Sequence, residues 1–274
     1  MPVNWRRRHA RAIAGVAALM LWPGLAANSL AATGEHAQEG ATNASAFAAA
    51  FPDRVTVFEH NDLYKFNYSY PMKLKQVPAL KAYFEGEAAA AQNGVAHMAA
   101  DQQALAKAHG SAFKPIEYVT VWFAIGNVPG WISLVRETHS EVGGEHDRVS
   151  YQAMLWDKKA NKEFRLEALF LSADKMEKVL IPAICDALDV QREGGRSGTH
   201  LRDPDGRSRD CVALKNTAIT FWNSGGHKFN TVTVMIMSDA GEPYAEASYA
   251  ILPITPPIVK AIRPEFRKAF SVAP

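Results

Sequence analysis

An α+β fold, with antiparallel sheet meanders and helices packed on one face, follows from three features of the sequence. Stretches alternating apolar and polar residues come in consecutive groups divided by short breaks. Segments with apolar residues at three- and four-residue steps fall between those groups. Helical segments do not alternate with single strands, as a doubly wound parallel sheet would require. The order is strands, helix, strand meander, helix, strand meander, helix. From about Phe51 the chain is long enough for one large domain or two small, intimately joined ones.

The first elements are "VTVFEH" and "YKFNYSYP". In the second, Tyr64, Phe66, Tyr68 and Tyr70 alternate with polar residues, the period of a half-buried sheet, and Asn61-Asp62 supplies the turn between the two. Pro78 opens a long helix whose apolar stripe runs through Leu80, Phe84, Ala88, Ala91, Val95 and Met98. Asn93-Gly94 predicts a bend or split in it, and Gly110 suits a C-terminal cap. His97 and His109 read as ordinary helix-surface residues.

"IEYVTVWFAIGN", "GWISLVRETHS" and "DRVSYQAMLWD" follow as a meander, broken at Asn127-Val128-Pro129-Gly130 and at Gly143-Gly144. "KKANKE" is a further turn. Ser172 caps a helix carrying Met176, Val179, Leu180, Ile184 and Leu188 on one side. "VALKNTAITFW", "FNTVTVMIM" and "AEASYAILPI" give three more strands. Pro256-Pro257 opens a final helix with Ile258, Val259, Ile262, Phe266 and Phe270 on its apolar side.

The first residues predict export. Arg6, Arg7, Arg8 and Arg11 precede the apolar run from Ala12 to Leu21, and Ser29-Leu30-Ala31 gives a small-x-small cleavage pattern. The apolar run is too short for a spanning helix. Residues 1–31 therefore read as a cleavable signal peptide and residues 32–52 as a flexible tether. The expected compartment is the periplasm, with no membrane span after cleavage. The chain has 30 Lys+Arg against 28 Asp+Glu, and four of the basic residues are leader arginines. The mature balance is slightly acidic, so nothing in it predicts nucleic-acid binding, which needs a basic face. Cys185 and Cys211 are the only cysteines, and in an oxidising compartment a disulfide is the default. Closing the Gly-, Arg- and Asp-rich loop between them stabilises by about 3–4 kcal/mol in the chain-entropy picture.

Candidate chemistry concentrates around "RETHSEVGGEHD". Glu145, His146 and Asp147 stand after two glycines, with His139 upstream across the break. This set suits either a turn with a solvated histidine or part of a metal or acid/base site. A metal site needs at least three convergent ligands. His60 and His227 could complete one only if separated loops meet. Glu145 and Asp147 alternate on one strand end, a weak basis for glycan hydrolysis. No G-x-S-x-G elbow, H-E-x-x-H pair, Walker loop or G-x-G-x-x-G turn is present, so no metal and no cofactor is implied. Trp122, Trp131, Trp156 and Trp222 lie on expected strands and read as core rather than as a sugar platform.

"WISLVRETHSEVGGEHDRVSYQAMLWDKKANKEFRLEALF" resembles one family: a strand, a Gly-Gly-x-His turn, a second strand and an L-x-x-L-F entry to a helix. The family is a pair of adjoining extracytoplasmic domains of unknown function, the 4163 and 3298 types. It occurs in the lysozyme-sensing anti-sigma factor and beside a polysaccharide deacetylase domain. "YKFNYSYP" resembles its opening, and "GEPYAEASYAILPITPPIVKAIRPEF" its terminal strand and helix. The sequence departs from the pattern where Glu145 and Asp147 flank His146, and where Glu246 follows Ala245. The resemblance implies an α+β domain facing the envelope, with residues 53–170 of the 4163 type and 171–274 of the 3298 type. The expected function is non-catalytic binding of a cell-envelope protein, such as lysozyme, or of a peptidoglycan fragment. The candidate binding residues are Glu145, His146, Asp147 and His139. The alternative is a metal-dependent envelope hydrolase using His146 with His139 or His227, and a third reading is an assembly or scaffolding factor.

Overall fold

The computed structural model describes residues 52–142, 148–194, 214, 217–223, 226–236 and 248–273. The leader, nearly all of the tether, Glu145, His146, Asp147 and Cys211 lie outside the described residues.

Strands β1 (Arg54–His60) and β2 (Tyr64–Pro71) form an antiparallel hairpin. Asn61 makes its turn: Oδ1 accepts from the N–H groups of Leu63 and Tyr64 at 2.9 and 3.0 Å. Helix α1 (Pro78–His109) follows, started by proline and stopped by Gly110. Gly110 adopts φ 63°, and its N–H reaches the Ala106 and Lys107 carbonyls. The helix runs unbroken through Asn93-Gly94, contrary to the expected bend. Both residues are exposed, so the polar pair interrupts no packing, while Val95 and Ala99 carry the buried stripe past it. Met98 is exposed, and Ala99 takes the stripe position the periodicity gave to Met98.

The chain then returns along the sheet as β3 (Ile116–Val128), β4 (Trp131–Glu141), β5 (Arg148–Asp157) and the short β6 (Lys162–Phe164). The six strands lie in chain order. The α+β class stands, with one pairing that alternation did not signal: β2 and β3 are parallel. Strand alternation is the same for either direction, and the long crossover through α1 is what lets β3 enter from the end where β2 began.

Helix α2 (Ala173–Gly194) starts at Ser172, whose Oγ accepts from the Lys175 N–H at 3.2 Å, as the sequence predicts. An antiparallel three-stranded sheet follows: β7 (Thr217–Trp222), β8 (Thr231–Ile236) and β9 (Ser248–Pro253). The expected final helix is broken. Helix α3 covers only Pro256–Ala261, Ile262 turns to extended backbone ahead of Pro264, and a 3-10 turn spans Arg267–Ala269. Two bridges hold that tail, Phe170 with Ile262 and Phe229 with Phe270. Proline at 264 disfavours helical geometry at the residue before it, so apolar spacing alone could not extend the helix.

Among the described residues, two large apolar clusters form most of the core. In the first, Leu80, Phe84, Ala88, Val95 and Ala99 of α1 lie on Phe66, Tyr68, Tyr70, Ile116 and Trp122 of the larger sheet. The rings of Tyr70 and Phe84 stack at 4.6 Å. In the second, Met176, Leu180, Ile184 and Leu188 of α2 pack with Phe221, Val232, Val234 and Leu252 of the smaller sheet. That cluster also takes in Val128, Trp131 and Leu155 of the larger one. Each such side chain contributes roughly 1.5–3 kcal/mol by leaving water. Trp122, Trp131 and Trp156 are core residues, and Trp222 is half-buried. Among the described residues, no helix is long and apolar enough to cross a membrane.

Candidate binding face of the six-stranded sheet

Side chains alternate across a strand, so the faces of the larger sheet follow from register. One face carries Tyr64, Phe66, Tyr68 and Tyr70 beneath α1. The opposite face carries Arg54, Thr56, Phe58 and His60 of β1, and Lys65, Asn67 and Ser69 of β2. Across it the register sets Asn67 beside Val119 of β3, Val119 beside His139 of β4, and His139 beside Val149 of β5. The next row runs Ser69, Val121, Glu137, Tyr151.

The smaller sheet packs on the β3–β5 part of this face, and Asn67 and Ser69 of β2 are buried as well. Ala218 and Met235 pack against Val135, with Phe123, Ile125, Tyr151 and Ala153 around them. A groove of about 410 Å³ runs alongside, lined by Tyr151, Ala153, Thr217 and Ile219 among others. Beyond that contact, Phe58, Val119 and Val121 are half-buried, and the His139 side chain is 46% exposed.

Three polar groupings occupy the face. Glu137 is buried, and its Oε1 takes a hydrogen bond from, or gives an ion pair to, His139 Nε2. Burial, followed by the Glu137 charge, pushes the Tyr151 phenol up to about 12. Arg54 donates through Nε to Ser69 Oγ at 3.2 Å and through Nη2 to the Ser69 and Trp122 carbonyls at 3.1 and 2.5 Å. Its guanidinium lies 5.3 Å from the Phe123 ring centre. Burial pulls Arg54 down to about 10, against the opposing pull of Asp53. The third grouping is unsatisfied: Thr56 Oγ1 and Asn67 Oδ1 are buried without a hydrogen-bond partner, and Asn67 is only 8% exposed. Each orphan of this kind costs about 1–3 kcal/mol.

The face under α1 also holds charge, but there it is satisfied. Glu87 of α1 accepts from Tyr68 Oη, Trp122 Nε1 at 2.8 Å and Arg136 Nη1. Arg136 in turn lies 5.9 Å from the Trp122 ring centre. Those bonds tie α1 to β2, β3 and β4, which makes the network a structural clasp.

Of the four candidate binding residues named from sequence, only His139 falls within the description, and it lies beside Glu137 on the face opposite α1. Glu145, His146 and Asp147 lie outside the described residues. His60 and His139 do not converge, since three strand spacings, about 14 Å, separate β1 from β4. His227 is exposed between β7 and β8. Among the described residues, no three His, Cys, Asp or Glu side chains gather as a metal site would require. Sequence reading missed Glu137, Tyr151, Thr56 and Asn67. The i,i+2 spacing of Glu137 and His139 on one strand was the available signal, because it puts both on one face. Nothing local signalled Asn67 or Thr56, whose setting comes from β1–β2–β3 register.

No protein-family profile matches the chain, and no curated protein matches it. Solved structures do. One is a DUF3298 family protein from Pseudomonas aeruginosa PAO1, 12% identical, covering 80% of this chain and 97% of that one, with a TM-score of 0.46. Another is a member of the DUF3298 family from Bacteroides fragilis, 13% identical, covering 79% of this chain and 95% of that one, with a TM-score of 0.51. The chain therefore shares the fold of the Bacteroides protein, whose family is a domain of unknown function.

Proposed function

We propose that this chain is an exported, non-catalytic binding domain of the cell envelope, and that its ligand sits beside His139 on the face of the six-stranded sheet opposite α1. The observation that carries the reading is the Glu137–His139 pair, whose imidazole side chain stays 46% exposed on that face. Membership of the 3298 family, with residues 53–170 as a 4163-like half, belongs to the same proposal. The shared fold and the quoted strand, turn and helix motifs support it. So does the leader, with its arginines, apolar run and small-residue cleavage pattern. A Cys185–Cys211 disulfide fits export; Cys185 is buried in α2.

The ligands to test are lysozyme and peptidoglycan fragments. Isothermal titration of the mature protein is expected to show saturable binding to one of them, weakened by His139→Ala. The same preparation, unfolded without reductant, is expected to titrate no free thiol. Failure to bind both ligands overturns the binding reading, and two reactive thiols overturn the staple.

A further inference from the structure

We infer that the free edge of β5 takes an extended peptide from a partner protein, added as a strand beyond the end of β6; this site does not depend on the ligand beside His139. The hydrogen-bond pattern shows which backbone groups are open. Lys158 donates its N–H to the Gly130 carbonyl at 2.9 Å, so it faces β4. Alternate residues of an antiparallel strand turn the same way. Met154, Gln152 and Ser150 therefore face β4 too, while Leu155, Ala153, Tyr151 and Val149 turn outward. Leu155 meets Phe164 of β6, but β6 has three residues and the chain then leaves the sheet in the 3-10 turn Leu166–Leu169. The N–H and C=O groups of Val149, Tyr151 and Ala153 have no strand partner among the described residues.

The chemistry of the edge selects the occupant. Donor and acceptor recur together at every second residue, roughly 7 Å apart, which is the period of another peptide backbone. The edge borders the groove of about 410 Å³, whose lining includes Tyr151, Ala153, Phe164, Leu166, Thr217 and Ile219. An added strand alternates its side chains, so every second one enters this largely apolar groove. The two ends of the edge carry opposite charges. Arg148 and Glu163 are exposed and stand in no ion pair among the described residues. Register puts both on the α1 side of the sheet: Glu163 is opposite Trp156, and Arg148 lies an even number of residues from Trp156 on the same strand. A strand running antiparallel to β5, as β6 does, starts near Glu163 and ends at Arg148. The fitting segment is basic first, apolar at alternate positions and acidic last. A second β5, paired about Tyr151, would set Arg148 opposite Met154 and leave both charges unanswered.

The test adds the synthetic peptide Lys-Val-Thr-Val-Thr-Val-Glu, blocked at both ends, to isotopically labelled mature protein and follows the amides by two-dimensional NMR. Saturable shifts centred on Val149, Tyr151 and Ala153, with slowed hydrogen exchange at those amides, are expected. Val149→Pro removes one outward N–H and no bond to β4, and is expected to weaken binding about three- to tenfold. Arg148→Glu, an exposed position, gives a second variant if the first fails to fold. It is expected to weaken binding about threefold, and to recover it for the peptide ending in lysine instead of glutamate. No shift, shifts centred elsewhere, or unchanged affinity in both variants overturns the peptide site. A free protein that sediments as a dimer, and as a monomer once Val149→Pro is made, gives the edge to a second copy and overturns it as well.

Discussion

Gly126 shows how a single residue fixes the relation of the two sheets. A register shift between Ala124 and Gly126 reverses the side-chain alternation of β3, so Trp122 points under α1 while Val128 joins the second cluster. Gly126 then faces β7. A methyl there would press on the Phe221 carbonyl oxygen and sit 2.7 Å from the Phe229 ring. Its cross-strand partner Ser133 is buried, and its Oγ accepts from the Phe221 N–H at 3.0 Å. Gly126→Ala is therefore expected to lower stability by about 1–3 kcal/mol, the range of overpacked cores, in urea unfolding. Gly94→Ala is the control, since nothing lies within 4 Å of its Cβ position, and it is expected to stabilise by up to about 1 kcal/mol. Equal effects of the two would remove the close-approach argument. The sequence marks Gly126 only as part of a strand end, because its constraint comes from β7, far along the chain. The candidate site divides the same way. His139 stands out as a titratable residue on a strand, whereas Asn67 and Thr56 become notable only when neighbouring strands bury them.

At the scale of elements, legibility followed how local the cause was. Both long helices were readable because their signals are short-range: proline at the start of α1, Gly110 at its end, Ser172 ahead of α2. The hairpin at Asn61 was readable for the same reason. The parallel β2–β3 pairing and the broken tail were not, since one depends on where a crossover lands and the other on Pro264 outweighing apolar spacing. Ser172 tests the local rule directly. Its Oγ accepts from the Lys175 N–H in the first turn of α2. Ser172→Ala is expected to destabilise by about 1 kcal/mol, and Ser172→Asp to preserve most of the stability, in thermal and urea unfolding. Equal loss in both variants would assign the effect to packing rather than capping.

The whole molecule responds to alkali through phenols held on both faces of the larger sheet. Burial first, then the Glu87 hydrogen bond and charge, pushes Tyr68 well above the usual phenol range. Tyr83 is raised to about 12 by burial and then by Glu87 and Glu163. Tyr151, on the opposite face, is raised to about 12 by burial and Glu137. In the unfolded chain these groups ionise near 10, so between pH 10 and 12 the folded state holds protons that the unfolded state has lost. The stability they confer is full below pH 10 and disappears as pH rises toward 12. Arg54 works in the opposite sense, because its folded value of about 10 lies below the ordinary 12.5 and favours the folded state as pH rises through that window. Lys158, lowered by burial, adds to Arg54. Tyr64 and Tyr70 are raised as well, so the phenols outnumber the opposing cations. Net stability is therefore expected to fall steeply above pH 10. Tyrosinate absorbance, followed with near-ultraviolet circular dichroism from pH 8 to 12.5, is expected to show a late, cooperative phase that coincides with unfolding. Tyr151→Phe is expected to shrink that phase and move its midpoint upward. A smooth titration near pH 10 with the dichroism unchanged would mean that these phenols reach solvent in the folded protein, and that the two faces are less closed than their packing requires.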